Sequence, residues 1–346
     1  MERVASQGIL TIDFWDVGQG DCTVITKPDG SLIIIDVGPR NSPLIDWLRD
    51  HPRKRISDVI LTHNDSDHIG AIPALLEARS VGSWNVWLLQ DGPRTGRRQQ
   101  AVVKLLTPLK RAEVEGIIQV RGITKGTTIW TDPHTGSYLD IIYPSELDKV
   151  LSHESPNLGS AILALMHPKG KMVIWPGDNT VRRTLEERPH GMLHTLFGPH
   201  HGGPEDRTRS SRKTFEKETH EIAAENAQIS VGKNSYDHPN LRYLTYLRKA
   251  GCQISCTGLT RLCDRRIKTR KAGHHIMNGS ALLGLRRTST GFACRGAKRL
   301  TITSEGIFPD KYEATHREAV QALTHPYCMP RETWSKKRPQ ITQPPS

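Results

Sequence analysis

The sequence predicts an α/β layered domain, and three observations carry that reading. Apolar runs of strand length recur along the chain, segments with helical apolar spacing fall between them, and turn and cap residues punctuate the two. In the first third, Ile9–Val17 and Ser31–Val37 are strand-length apolar runs separated by the hairpin signal Pro28-Asp29-Gly30. Ser42–Asp50 has helical spacing through Leu44, Trp47 and Leu48, with Pro43 suited to a first turn. Asp58–Thr62 reads as a short buried strand, Ile69–Ala78 as a helix with Ile72, Leu75 and Leu76 on one face, and Gln99–Val114 as a longer helix.

The second half predicts strands at Leu139–Tyr143, Ala161–Met166 and Lys171–Trp175, the last two joined by the turn His167-Pro168-Lys169-Gly170. A helix over Thr180–Arg188, a strand over Met192–Phe197 and a strand over Ala227–Val231 follow. Gly202–Lys217 is polar and basic and reads as an exposed loop. Leu241–Ala250 is a helix ended by Gly251. Periodicity fades from about Pro309. The expected organisation is one domain over residues 1–308 and a largely disordered tail over 309–346, Ser335–Ser346 being the clearest part.

Bulk composition narrows the function classes. A chain of 346 residues with 36% hydrophobic residues can bury a core, and no apolar run approaches the roughly 20 residues that a membrane span needs. The expectation is a cytoplasmic protein without a membrane partner. The net charge of +12 points to polyanionic partners, nucleic acid first among them. Six cysteines in so long a chain do not form a disulfide framework. Cys252, Cys256, Cys263 and Cys294, with His274 and His275 between them, hold enough ligands for a structural zinc stapling residues 252–300. Buried thiols acting as small hydrophobes are the alternative.

The chemistry concentrates in Thr62-His63-Asn64-Asp65-Ser66-Asp67-His68, where an apolar strand ends and a helix begins. Two imidazoles and two carboxylates within this run are costly to crowd unless a cation neutralises them. Mixed nitrogen and oxygen ligands suit zinc, manganese or iron.

This motif resembles the first metal motif of the metallo-β-lactamase superfamily, and others follow in order: Ile33–Gly38 with Asp36, Val173–Asp178, Gly198–Gly202 and Ser230–Pro239. Within that superfamily the chain resembles the branch holding the soluble hydrolase domain of ComEC-type DNA-uptake proteins. Its marks are Asp16-Val17-Gly18-Gln19-Gly20-Asp21, Asp65 in place of a His, the His-His-Gly and the late Tyr-x-His-Pro, together covering residues 9 to 260. The resemblance implies a four-layer αββα metallo-β-lactamase sandwich and one or two divalent ions, zinc or manganese. It implies one metal on His63 and Asp65, the other on Asp67, His68 and His238, and Asp178 bridging them. Many superfamily members carry a further His where this chain has Asn157-Leu158-Gly159-Ser160. His200 or His201 is expected to fill that place, His201 before His200.

Asp67, Asp178 and His201 are therefore the expected catalytic residues. Asp16, Asp36, Asn157 and Ser160 are expected to support them. Gly18, Gln19 and Gly20 could offer backbone N–H groups to a phosphate, and Asp21 could orient a metal ligand. The implied activity is a phosphodiesterase or nuclease, with Arg94, Arg97, Arg98, Arg207, Arg209, Arg212 and Lys213 as basic residues around the site. A small-molecule hydrolase, or a regulatory subunit with weakened catalysis, are the competing readings.

Overall fold

The computed structural model describes residues 9–79, 82–89, 97–151, 157–203, 209–232, 234, 236, 238–257, 286–288, 291–293 and 299–309. The chain begins with an antiparallel meander of β1 (Leu10–Phe14), β2 (Cys22–Thr26) and β3 (Leu32–Val37). Helix α1 (Pro43–Asp50) crosses to β4 (Ile56–Leu61), which lies parallel to β3. α2 (Ser66–Ile69) and α3 (Ile72–Ala78) lead to β5 (Trp84–Leu88), and α4 (Arg97–Val114) leads to β6 (Ile118–Gly122), both parallel additions.

The second sheet grows from β7 (Thr127–Thr131) and β8 (Tyr138–Tyr143), then α5 (Glu146–Leu151), β9 (Ile162–Met166) and β10 (Lys171–Trp175). α6 (Val181–Glu187), β11 (Met192–Phe197), α7 (Arg209–Glu221), β12 (Asn226–Ile229), α8 (Leu241–Lys249) and β13 (Gln253–Cys256) continue it, with β10 to β13 all parallel. A small hairpin of β14 (Arg286–Thr288) and β15 (Gly291–Ala293) precedes β16 (Arg299–Thr303) and β17 (Gly306–Pro309). These last two rejoin the first sheet, whose order is β17-β16-β1-β2-β3-β4-β5-β6; the second runs β13-β12-β11-β10-β9-β8-β7.

Period-two alternation of fully apolar strands makes the layers. In β3, Ile33 and Ile35 join the core between the sheets, while Leu32 and Ile34 join the core under α1, α3 and α4. In β10, Val173 and Trp175 face the other sheet, and Met172 and Ile174 face α6, α7 and α8. Each strand is buried on both faces, so it reads as a continuous apolar run. Phe14 stacks on Phe197 across the inter-sheet core at 5.4 Å, and the Trp175 indole N–H donates to Thr23 Oγ1 at 3.2 Å. The result is the four-layer αββα sandwich. Among the described residues no helix is long and apolar enough to cross a membrane.

Several expectations are corrected. The Pro28-Asp29-Gly30 turn joins β2 to β3, not the first strand to β3, because Cys22–Thr26 is itself a buried strand. The helix expected over Ile69–Ala78 is α3 alone, preceded by α2. Gly70 separates them, and a Cβ there would meet Ser66 O at 2.3 Å and Arg40 N at 2.7 Å. The expected basic loop is helical from Arg209, because Phe215 and Thr219 give α7 a buried face against Tyr243 and Tyr246. The tail from residue 310 lies outside the described residues.

Candidate metal centre

Asp36, His63, Asp178, His201 and Ser230 stand at or just past the C-terminal ends of β3, β4, β10, β11 and β12. This is the edge where open α/β sheets gather ligand-binding loops. Asp178 is buried at the centre, and its two oxygens face different partners. Oδ2 lies 3.4 Å from His63 Nε2 and 3.7 Å from His200 Nε2, and Asp65 Oδ2 is 3.8 Å from the same His63 nitrogen. Oδ1 lies 3.2 Å from His68 Nε2 and 3.6 Å from His201 Nε2, and the latter is 3.3 Å from Asp67 Oδ2. Asp178 thus lies between His63 and His200 on its Oδ2 side and His68 and His201 on its Oδ1 side.

Outer partners fix the rings. Asp36, itself at φ 54, accepts from the Thr62 amide at 2.8 Å and the Thr62 hydroxyl at 2.7 Å, and takes His68 Nδ1 at 2.8 Å. His201 Nδ1 lies 3.0 Å from Asp21 Oδ1 and 3.1 Å from the Ser230 carbonyl. Asn157 Nδ2 is 3.4 Å from His200 Nε2, and the Asp178 amide donates to Ser160 Oγ at 3.3 Å. A Nδ1–H held by a carboxylate leaves the Nε2 lone pair pointing into the centre.

The donors fit a cation. His63 Nε2, His68 Nε2, His201 Nε2 and Asp178 Oδ1 are buried and make no hydrogen bond with proper geometry, although they converge on one another. Each such orphaned atom costs on the order of 1–3 kcal/mol unless something satisfies it. Ligand atoms of His63, His68 and Asp178 lie within 4.8 Å of one another, as do those of Asp67, His68 and His201. Burial alone would hold His68 and His201 neutral, yet Asp178 and Asp36 around the first, and Asp21 and Asp178 around the second, raise both pKa values well above the ordinary one. Burial opposes ionisation of Asp178, but His68, His63 and His201 hold its pKa well below the usual range. Burial similarly depresses the His200 pKa.

Two expected assignments change. His201 faces Asp67 and His68, the place expected for His238, and His200 faces the His63 side that lacks the further His. The reason is local: His200 and His201 have φ 46 and 52, so neighbouring rings diverge to opposite oxygens of Asp178. His238 stands one step out, its ring 5.2 Å from that of His200 and stacked on Tyr236 at 5.8 Å.

The glycine loop after β1 packs against the backbone of Asp67 and Gly232. The Gly18 amide donates to Asp16 Oδ1 at 2.9 Å and the Asp21 amide to Asp67 O at 3.2 Å. A Cβ on Gly20 would sit 2.2 Å from Asp67 O, and one on Gly232 would sit 2.4 Å from Gln19 N. The expected phosphate contact by Gly18 is thus corrected, since its N–H is already engaged. The loop carries Asp21 to His201.

Thr62, Asn179, Ser230 and Asn234 are supporting residues that sequence reasoning did not single out. Asn179 Nδ2 ties the carbonyls of Leu158 and Ser160 to the Asp178 turn at 3.2 and 3.0 Å. A polar residue directly flanking a ligand is the one signal that could have found Thr62 and Asn179.

Away from the centre, Cys252 and Cys256 are buried in the core against α8, and burial pushes the Cys252 thiol up to about 12. Cys263 and Cys294 lie outside the described residues, as do Arg94 and Arg207. Arg97 and Arg98 begin α4, Arg209 and Arg212 begin α7, and Lys213 is exposed.

The family model of the metallo-beta-lactamase superfamily matches residues 15–206. The chain belongs to the metallo-beta-lactamase superfamily. ComE operon protein 3 of Bacillus subtilis (strain 168) is 24% identical over 287 residues, 75% of this chain and 33% of that protein. The chain thus spans 33% of the length of that relative. Hydroxyacylglutathione hydrolase of Pseudomonas aeruginosa (strain LESB58) is 37% identical over 70 residues, 18% of this chain and 27% of that enzyme. The metallo-beta-lactamase fold protein YhfI from Bacillus subtilis aligns with a TM-score of 0.47 at 12% identity, covering 72% of this chain and 96% of that one. Its buried His/Asp cluster is the part of the fold that could hold a metal ion.

Proposed function

We propose that this chain is a phosphodiesterase that cleaves nucleic acid with a pair of divalent ions, zinc or manganese. The observation that carries the metal part is the division of ligands across Asp178. His63, Asp65 and His200 would hold one ion with Oδ2, and Asp67, His68 and His201 the other with Oδ1. When bound, such a pair activates a water near neutral pH and offsets the charge that builds on phosphoryl oxygens.

The chain's own residues prepare that chemistry. Asp36 and Asp21 fix the tautomer and tilt of His68 and His201, so both nitrogens are aimed before substrate arrives. Ser160 holds the backbone of Asp178, whereas an ion on His200 Nε2 would displace that nitrogen's contact with Asn157 Nδ2. Partial exposure of Asp65, Asp67 and His200 leaves one side of the cluster open to solvent, where a diester can approach.

Support for nucleic acid comes from the +12 net charge and the motif resemblance to the DNA-uptake branch. Backbone contacts carry no base information, so cleavage without strong sequence preference is expected, weakening steeply with salt. The test is cleavage of single- and double-stranded DNA and RNA at low salt with manganese, zinc and magnesium. Asp67→Ala should abolish it. If no strand is cut while bis(4-nitrophenyl) phosphate is hydrolysed in an Asp67-dependent way, the small-molecule reading replaces this one.

A further inference from the structure

We infer that Tyr236 is a stacking platform for a nucleobase next to the scissile phosphate, an inference that rests on the nucleic-acid reading above. Tyr236 is 68% exposed, the second most exposed large hydrophobic side chain among the described residues after Val114 at 77%. It is joined to the His/Asp cluster through two ring contacts. Its ring stacks on His238 at 5.8 Å with 27° between the planes, His238 meets the His200 ring edge-on at 5.2 Å, and His200 Nε2 is 3.7 Å from Asp178. The phenol is therefore packed against an imidazole while most of its surface stays exposed.

The loop holding it is pinned. The Asn234 side chain accepts from the amides of Tyr236 and His238, each at 3.0 Å, and donates to the carbonyls of Gly232 and His238, each at 2.9 Å. Four hydrogen bonds from one carboxamide fix the backbone on both sides of an aromatic ring left in water. Leu158, 46% exposed, stands in the turn whose Asn157 contacts His200. A charged centre is thus bordered by two exposed apolar groups on hydrogen-bonded turns, the arrangement of a surface that something covers. A diester seated on the metals brings a base or sugar to each border. The ring fits a base, because stacking on an aromatic face accepts every base and is worth on the order of 1–3 kcal/mol.

The test compares Tyr236→Ala, Tyr236→Phe and wild type on single strands carrying either a normal base or an abasic sugar beside the cleaved bond. Metal content and melting temperature should match wild type in both variants, since the side chain is exposed. Tyr236→Ala should raise KM about tenfold on the intact strand, with Tyr236→Phe within about twofold of wild type. On the abasic strand the wild-type KM should rise to that of Tyr236→Ala, and the substitution should add nothing. Equal losses for Tyr236→Ala on both strands, an unchanged KM, or a loss in Tyr236→Phe as large as in Tyr236→Ala would overturn the inference. A wild type that cuts no strand with any of the metals would remove the nucleic-acid reading and this inference with it. A wild type that cuts while the comparisons come out flat removes this inference alone.

Discussion

Adjacent imidazoles at 200 and 201 face different oxygens of Asp178 because their backbone is left-handed, a conformation that costs a non-glycine residue on the order of 1–3 kcal/mol. Nothing in the letters His-His-Gly reveals that divergence, which is why His201 was expected where His200 stands. His63, Asp65, Asp67 and His68, by contrast, are legible as a cluster, because two imidazoles and two carboxylates crowd one strand-end loop. The same residues set the pH behaviour. Carboxylates outweigh burial and raise the pKa of His68 and His201 in the metal-free protein, so a cation competes with a proton for each ring. Ion binding should release protons, and affinity should rise with pH through neutrality. The sign for stability is opposite. The folded pKa values exceed the unfolded value of about 6.5, so these rings stabilise the metal-free fold fully below that pH and lose their contribution as pH rises through the folded values. Calorimetry in two buffers of different ionisation heat checks the first statement; buffer-independent heats would contradict it.

At the scale of elements, what was readable followed apolar continuity. β3, β4, β9 and β10 are buried on both faces and announced themselves. β5, β6 and β7 are half-exposed and alternate weakly, so they did not. In α7 the buried Phe215 and Thr219 are hidden among charges. The glycine loop after β1 is legible as part of the site, with Asp21 beside His201, but its packing against Asp67 and Gly232 is a long-range contact that no local pattern reveals. That contact gives a prediction. A Cβ at Gly232 would lie 2.3 Å from Gly18 C, backbone that cannot swing away. Gly232→Ala should destabilise the protein by about 1–3 kcal/mol, the usual cost of overpacking. It should also weaken ion binding by shifting Asp21 away from His201. Thermal melting and metal titration check both, and a variant matching wild type in each would show that the loop is not clamped.

Across the whole molecule, the first sheet is completed by strands from opposite ends of the chain. β16 pairs with β1 in the register Ile12↔Leu300, and Leu300, Ile302 and Ile307 enter the inter-sheet core. The layered α/β class was readable from alternating elements, but this closure was not, because the pairing spans nearly the full sequence and follows a long basic stretch. Ile302 is fully buried, so Ile302→Ala should cost about 2–5 kcal/mol, the range for such core truncations, although it lies outside the metal-ligand set. Denaturant unfolding reads that loss, and a change below about 1 kcal/mol would contradict the packing of β16.

The two sheets exist, on this account, to hold one carboxylate between two groups of imidazoles. Anomalous diffraction from crystals of the protein loaded with zinc or manganese tests that claim most directly. Two ions are expected, one against Asp178 Oδ2 with His63, Asp65 and His200, the other against Oδ1 with Asp67, His68 and His201. A single ion, or His238 bound in place of His201, would contradict it.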